Sequence, residues 1–253
     1  MRFNEIKGFE DRMLFLTKFT KSEYVQDFLD GNLYMNNFKY FVEQEKKTKH
    51  KGQGDSYEGA FINILENSDI YINDTLVGSA ESTELSIRNN YIDSIPLFSM
   101  CQLTSPDFEV IEENEQSIKI KLSLTLEEIN KIKEDFQCDK VIFTMNYDEF
   151  QRRVTNAAKN LNTEVWSNPI QYIDFSWNKE RHERFEQGYL DVLYNKHESL
   201  KYQREFRYIL PKMPVDQNYI FKVGDLSDIF YVSDIDDFLS GVKIQVNTTD
   251  LLV

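Results

Sequence analysis

Along this chain, stretches with apolar residues at alternate positions are interleaved with stretches in which apolar residues recur every three or four. Met13 to Thr20 reads as a first strand. Ser22 is placed to cap a short helix over Glu23 to Leu29, which Asp30-Gly31 would end, and Leu33-Tyr34-Met35 reads as a brief strand. Helical spacing over Asn37 to Glu45 puts Phe38, Phe41 and Val42 on one side, and the polar stretch from Lys46 to Ser56 reads as a loop. Ala60 to Leu65, Ile70 to Ile72 and Glu84 to Arg88 predict strands of a meander, and Ile95 to Leu103 an apolar, buried strand. Phe108 to Ile111 and Ser117 to Leu122 flank an acidic turn and predict a hairpin.

In the second half, Thr125-Leu126-Glu127-Glu128 has the spacing of a capping box opening a helix to about Phe136. Lys140 to Met145 predicts a strand, and Asp148 to Leu161 a helix with Phe150, Val154, Ala157, Ala158 and Leu161 on its inner stripe. Ile170 to Phe175 predicts a strand, Glu180 to Leu193 a charged helix, and Glu205 to Leu210 a strand that Pro211 and Pro214 close. Tyr219 to Val223, Ile229 to Val232 and Val242 to Val246 complete a strand-rich last third. No repeat or linker divides the chain. The expectation is one α+β domain over 1–253, a mostly antiparallel, mixed sheet with flanking helices.

Composition sharpens this picture. With 19 Phe and 14 Tyr in 253 residues, the chain has the aromatic surface to build a sizeable core. Its net charge of -14 would repel duplex nucleic acid and anionic membranes, which clustered Lys and Arg would attract. Only Lys39 to Lys51 is locally basic, and it reads as a solvated or a phosphate-contacting loop. Two cysteines, Cys101 and Cys138, make no disulfide framework, and neither they nor the dispersed His50, His182 and His197 show metal-ligand spacing. No metal is expected. The start lacks an apolar signal core and no run is long enough to span a membrane, which leads to the expectation of a cytoplasmic protein. Heavy use of Asn, Ile, Lys, Tyr and Phe points to an AT-rich genome, such as that of a low-GC bacterium or its phage.

The sharpest chemical feature is Lys201 to Leu210. Strand alternation sends Glu205 and Arg207 to one face and Phe206, Tyr208 and Leu210 to the other, presenting a carboxylate and a guanidinium together. The same pattern fits a simple ion pair on a strand. A second candidate is the turn carrying Asp55 and Glu58, where Gly52, Gly54 and Gly59 permit close backbone approach to a ligand; an ordinary polar turn is the alternative. Arg152, Arg153, Arg181, Arg184, Arg204 and Arg207 could line one phosphate-binding cleft or pair with the abundant carboxylates. Cys101 reads as a small buried hydrophobe, and His182 as a surface helix position. No P-loop, dinucleotide glycine fingerprint, nucleophile elbow or kinase signature occurs.

Taken in order, Phe28-Leu29-Asp30-Gly31-Asn32-Leu33-Tyr34-Met35, Tyr40-Phe41, Gly54-Asp55-Ser56-Tyr57-Glu58-Gly59, Leu97-Phe98-Ser99-Met100-Cys101 and Tyr202-Gln203-Arg204-Glu205-Phe206-Arg207 resemble the landmarks of a widespread, largely uncharacterised family of bacterial and phage proteins. More distantly, the layout resembles an ADP-ribosyltransferase fold, with Gln203 and Glu205 in the Gln-x-Glu spacing. The resemblance implies NAD or another nucleotide-type ligand. Glu205 and Gln203 would be catalytic, with Glu205 stabilising an oxocarbenium-like transition state, and Arg207, Thr17, Lys18, Asp55 and Glu58 would contact the ligand while the loop from Lys46 closes over it. Two contrasting expectations remain open: an interaction protein that uses its acidic, aromatic surface to bind a host or defence protein, and a module that sequesters a nucleotide unchanged.

Overall fold

The computed structural model describes residues 1–48, 52 and 54–247. In chain order these form β1 (Met13–Thr20), α1 (Val25–Leu29), β2 (Asn32–Asn37), α2 (Phe38–Thr48), β3 (Phe61–Ile72), β4 (Thr75–Ile87), α3 (Asn90–Asp93), β5 (Pro96–Thr104), β6 (Phe108–Glu113), β7 (Ser117–Leu122) and α4 (Leu126–Phe136). There follow β8 (Lys140–Thr144), α5 (Tyr147–Asn160), β9 (Trp166–Pro169), β10 (Gln171–Ile173), α6 (Lys179–Glu186), β11 (Asn195–His197), β12 (Glu205–Ile209), β13 (Asn218–Lys222), β14 (Tyr231–Asp234), α7 (Ile235–Gly241) and β15 (Lys243–Asn247). The class is α+β, as the periodicities predict. The main sheet is antiparallel; β6, β7 and β15 form a smaller antiparallel sheet, and β10 and β11 a short parallel pair.

The centre of the main sheet is β5, and it is forked. Cys101 pairs with Thr17 of β1 on one edge and Glu205 of β12 on the other, while Leu97 pairs with Asn36 of β2 and Ile209 of β12. Thus β1 and β2 share one edge of β5 at its two ends, and β12 runs along the opposite edge. In the fork the Ser99 carbonyl has no strand partner; the Lys18 ammonium donates to it at 2.7 Å instead, so the buried acceptor is satisfied.

Alternation along β5 and β12 gives the sheet two faces of different character. One carries Phe98, Met100, Phe206 and Tyr208, packed against Phe150, Val154 and Ala158 of α5 and Phe28 of α1. The other is covered in two parts. Cys101, Leu103 and Phe15 pack with Ile132 of α4 and Phe238 of α7, whereas Leu97 and Ile209 pack with Phe38 of α2 and Phe61 at the base of β3. Glu205 and Arg207 emerge between these two apolar patches.

Several boundaries differ from the sequence pattern for local reasons. The helix expected over Glu180 to Leu193 ends at Glu186, because Gly188 takes a positive φ of 82° and turns the chain. The strand expected over Ile170 to Phe175 shortens to Gln171–Ile173, which pairs with β11, and a strand the pattern did not mark, Trp166–Pro169, precedes it and pairs with β12. The expected meander is instead one long two-stranded ribbon of β3 and β4. Alternation did not reveal α7. The Thr125–Glu128 capping box forms as expected. Lys49, His50 and Lys51 of the basic stretch lie outside the described residues.

Candidate functional site

Beside β12, four charges are matched in the interior. The guanidinium of Arg207, itself 0% exposed, lies 2.8 Å from Glu205 Oε1 and 2.8 Å from Glu58 Oε1, and donates to the Leu193 carbonyl at 2.6 Å. Lys196 Nζ sits 2.7 Å from Glu205 Oε2 and 3.5 Å from Glu58 Oε2. Two buried cations therefore face two buried carboxylates, the arrangement that makes interior charge tolerable. Ser99 adds a hydroxyl donor to Glu205 Oε1, and the Glu205 backbone N–H donates to the Tyr172 hydroxyl at 2.8 Å.

Burial pushes the Glu205 carboxyl up, but Arg207, Lys196 and the Lys196 and Ser99 hydrogen bonds more than offset it, holding the group far below the usual carboxylate range. Burial likewise opposes charge on Lys196, which Glu205 and Glu58 override, raising its pKa. Glu205 is thus ionised at any physiological pH.

Of the residues picked out by the sequence, Glu205, Arg207, Glu58 and Gln203 come together. Gln203 Oε1 accepts from Lys196 Nζ at 3.1 Å, and its amide nitrogen donates to the Gly52 carbonyl at 2.9 Å. Asp55 lies in the adjoining turn, 6% exposed, with Oδ1 accepting the Tyr57 N–H and Oδ2 unpartnered. Burial, reinforced by Glu58 and opposed by Lys196, pushes its pKa up to about 6.

Thr17 and Lys18 do not join this group: Thr17 shares the face of Glu205, but Cys101 of β5 lies between them. Thr17 is buried with its hydroxyl donated to the Cys101 carbonyl, and Lys18 lies over the Phe98 ring, 4.7 Å from its centroid, on the opposite face. Burial lowers the Lys18 pKa to about 8, against the pull of Glu205. The glycines of the turn permit close approach, but of protein groups: a Cβ on Gly54 would sit 2.3 Å from Glu45 N, and one on Gly52 the same distance from the Asp135 carboxyl carbon.

The other arginines do not line one cleft. Arg153 pairs with Glu149 and Asp228, Arg184 with Asp191, and Arg204 with Asp107 and Glu128. His182 is not free on its helix but packs between Phe61 and Trp177, whose ring centroids lie 5.9 and 4.9 Å away. Cys101 is buried, as its apolar strand predicts, and burial raises its pKa to about 12.

Sequence reasoning missed Lys196, Tyr172 and the role of Ser99. Charge parity was the one signal available, since two carboxylates and one arginine on a buried face require a second cation. Nothing in the pattern around Asn195–His197 marks Lys196 as that cation.

Among the described residues, no helix is long and apolar enough to cross a membrane, and no group of His, Cys, Asp and Glu side chains is arranged to hold a metal ion. Comparison with family models, curated proteins and solved structures finds no match to this chain.

Proposed function

We propose that this protein binds a nucleotide-type ligand, NAD foremost, at the charged face of β12, and acts on it as an ADP-ribosyltransferase-like enzyme. The observation that supports this reading best is the convergence of Gln203 and Glu205 on one ammonium, at 3.1 and 2.7 Å from Lys196 Nζ. A Gln-x-Glu pair is thereby held side by side with its carboxylate ionised, the state that can accept a ribose hydroxyl and stabilise positive charge at the anomeric carbon.

In this reading, the bond from the ribose anomeric carbon to the nicotinamide nitrogen breaks with both electrons leaving on neutral nicotinamide. A nucleophile on the acceptor then captures the ribosyl cation and loses a proton. Glu205 faces the developing cation, Gln203 orients the ribose or the acceptor, and Arg207 keeps Glu205 charged. The ribose hydroxyls take the place of Lys196 Nζ on Glu205, and a phosphate reaching Arg207 has to compete with Glu58. Asp55 and Glu58, both buried beside Lys196, add negative charge to the same site.

The test is a thermal-shift panel of NAD, ADP-ribose, ATP and nicotinamide with the wild-type chain, Gln203→Ala and Glu205→Gln. NAD should raise the wild-type melting temperature, with the rise reduced in Gln203→Ala. Binding without nicotinamide release would move the reading to nucleotide sequestration. No shift with any nucleotide would contradict the proposal.

A further inference from the structure

The β3–β4 ribbon starts in the core and ends in water. Phe61, Ile62 and Asn63 are buried at its base, where the Ile64 N–H also donates to the Phe175 carbonyl at 2.6 Å. Beyond Glu66 the two strands pair only with each other, through to Ile72↔Thr75. At the tip, Ile70, Tyr71, Ile72, Leu76 and Val77 are each 50–60% exposed. Tyr71 and Leu76 are direct cross-strand partners, while Ile72 lies on the other side of the pleat. An isolated two-stranded ribbon is marginal in water, and a cluster of apolar side chains exposed together marks an interaction surface.

The charge of the ribbon restricts what can cover this tip. Glu66, Asp69, Asp74, Glu81 and Glu84 lie along residues 61–87, and no Lys or Arg does. A second ribbon would bring like charge against like, on chains that each carry -14, and an anionic membrane would be repelled in the same way. A protein surface with an apolar cleft rimmed by Lys and Arg answers both features at once.

We propose that the tip of the β3–β4 ribbon is a docking element that inserts Tyr71 and Leu76 into an apolar, basic-rimmed cleft on a protein partner. The pair supplies the anchors, since a tyrosine packed against an aliphatic neighbour concentrates binding energy in a small area. The carboxylates flanking it steer the approach and fix orientation. This role does not rest on the nucleotide reading, because the tip is separate from the Glu205 cluster.

The test places a photo-crosslinking phenylalanine analogue at Tyr71 of the full chain, expressed in its native cells, with Tyr231, also exposed, as the control position. The expected result is one protein crosslinked from position 71 and not from 231, through a peptide on an apolar patch flanked by Lys or Arg. With that partner purified, Tyr71→Ser combined with Leu76→Ser should weaken binding at least about thirtyfold while the melting temperature of the free chain is unchanged. Raising the salt concentration should weaken it further. Crosslinks to a second copy, to lipid, to the same products from both positions or to nothing would overturn the proposal. So would a partner patch without Lys or Arg, or binding indifferent to the double substitution.

Discussion

At β12, Glu58, Lys196, Glu205 and Arg207 are buried with every charge in ion-pair reach of an opposite one, whereas at the ribbon tip Ile70, Tyr71, Ile72, Leu76 and Val77 stand in water and the flanking carboxylates have no cation along the ribbon. The two regions place burden on stability in opposite ways. A buried charge is tolerable only while its partner remains, so the β12 cluster is tied to the integrity of the fold. An exposed side chain at the tip has its cross-strand neighbour as its main contact, so the tip is free to vary with little loss of structure. A function at the β12 cluster would therefore be entangled with stability, and one at the tip separate from it.

The largest effect expected from this contrast is at Arg207. Arg207→Met leaves Glu205 and Glu58 facing Lys196 alone and should cost about 3–5 kcal/mol in chemical denaturation. A loss below about 1 kcal/mol would mean that water or rearrangement replaces the guanidinium, and the contrast would fail. Arg207→Lys should recover only part of the loss, because a single ammonium nitrogen lacks the planar spread with which the guanidinium reaches Glu205, Glu58 and the Leu193 carbonyl from separate nitrogens.

Next in size is a pH effect at Asp55. Its folded pKa of about 6 lies above the ordinary carboxyl value of 3.8, so the folded state binds this proton more tightly than the unfolded state. The group's contribution to stability therefore falls as pH rises from about 4 to about 6 and then levels off, reaching a cost of about 3 kcal/mol at neutral pH. Asp55→Asn should remove that cost, so the variant should exceed wild type in stability at pH 7 and lose the advantage as pH approaches 4. Glu205 acts in the opposite sense: its folded pKa is depressed, so its contribution is present above the unfolded value and is lost as pH falls through the acid range. Denaturation of both proteins at pH 4.5 and pH 7 separates the two groups. An equal difference at both would contradict the assignment to Asp55.

How far these regions could be read from sequence follows from the range of the interactions. The opposite faces of Glu205–Arg207 and Phe206–Tyr208 follow from a period of two, and the Thr125–Glu128 box from a spacing of three; both are local rules. The pairing of Lys196 with Glu205 is set by the 3₁₀ helix over Glu198–Gln203 that links β11 to β12, with Arg204 at φ 47° just before β12, and no periodicity encodes that. The ribbon was visible only in fragments. Asn67 and Ser68 carry no strand signal, yet the ladder runs past them because backbone pairing needs no apolar side chain.

A middle-sized effect probes how the turn is clamped beside the cluster. Gly54→Ala places a methyl against the backbone of Glu45 and should cost about 1–3 kcal/mol. The smallest effect is at the tip: Tyr71→Ser should change stability by less than about 0.5 kcal/mol, measured by denaturation. A larger loss would mean that the tip contributes to the fold and is not free for a partner.

The most direct test of the Glu205 site is nicotinamide release from NAD, measured by chromatography for the wild-type chain and for Glu205→Gln at a temperature where both remain folded by circular dichroism. Release by wild type, with a loss of about a hundredfold or more in the variant while the NAD-induced melting shift persists, is the expected result. Equal release by the two proteins, or no release and no shift in wild type, would contradict it.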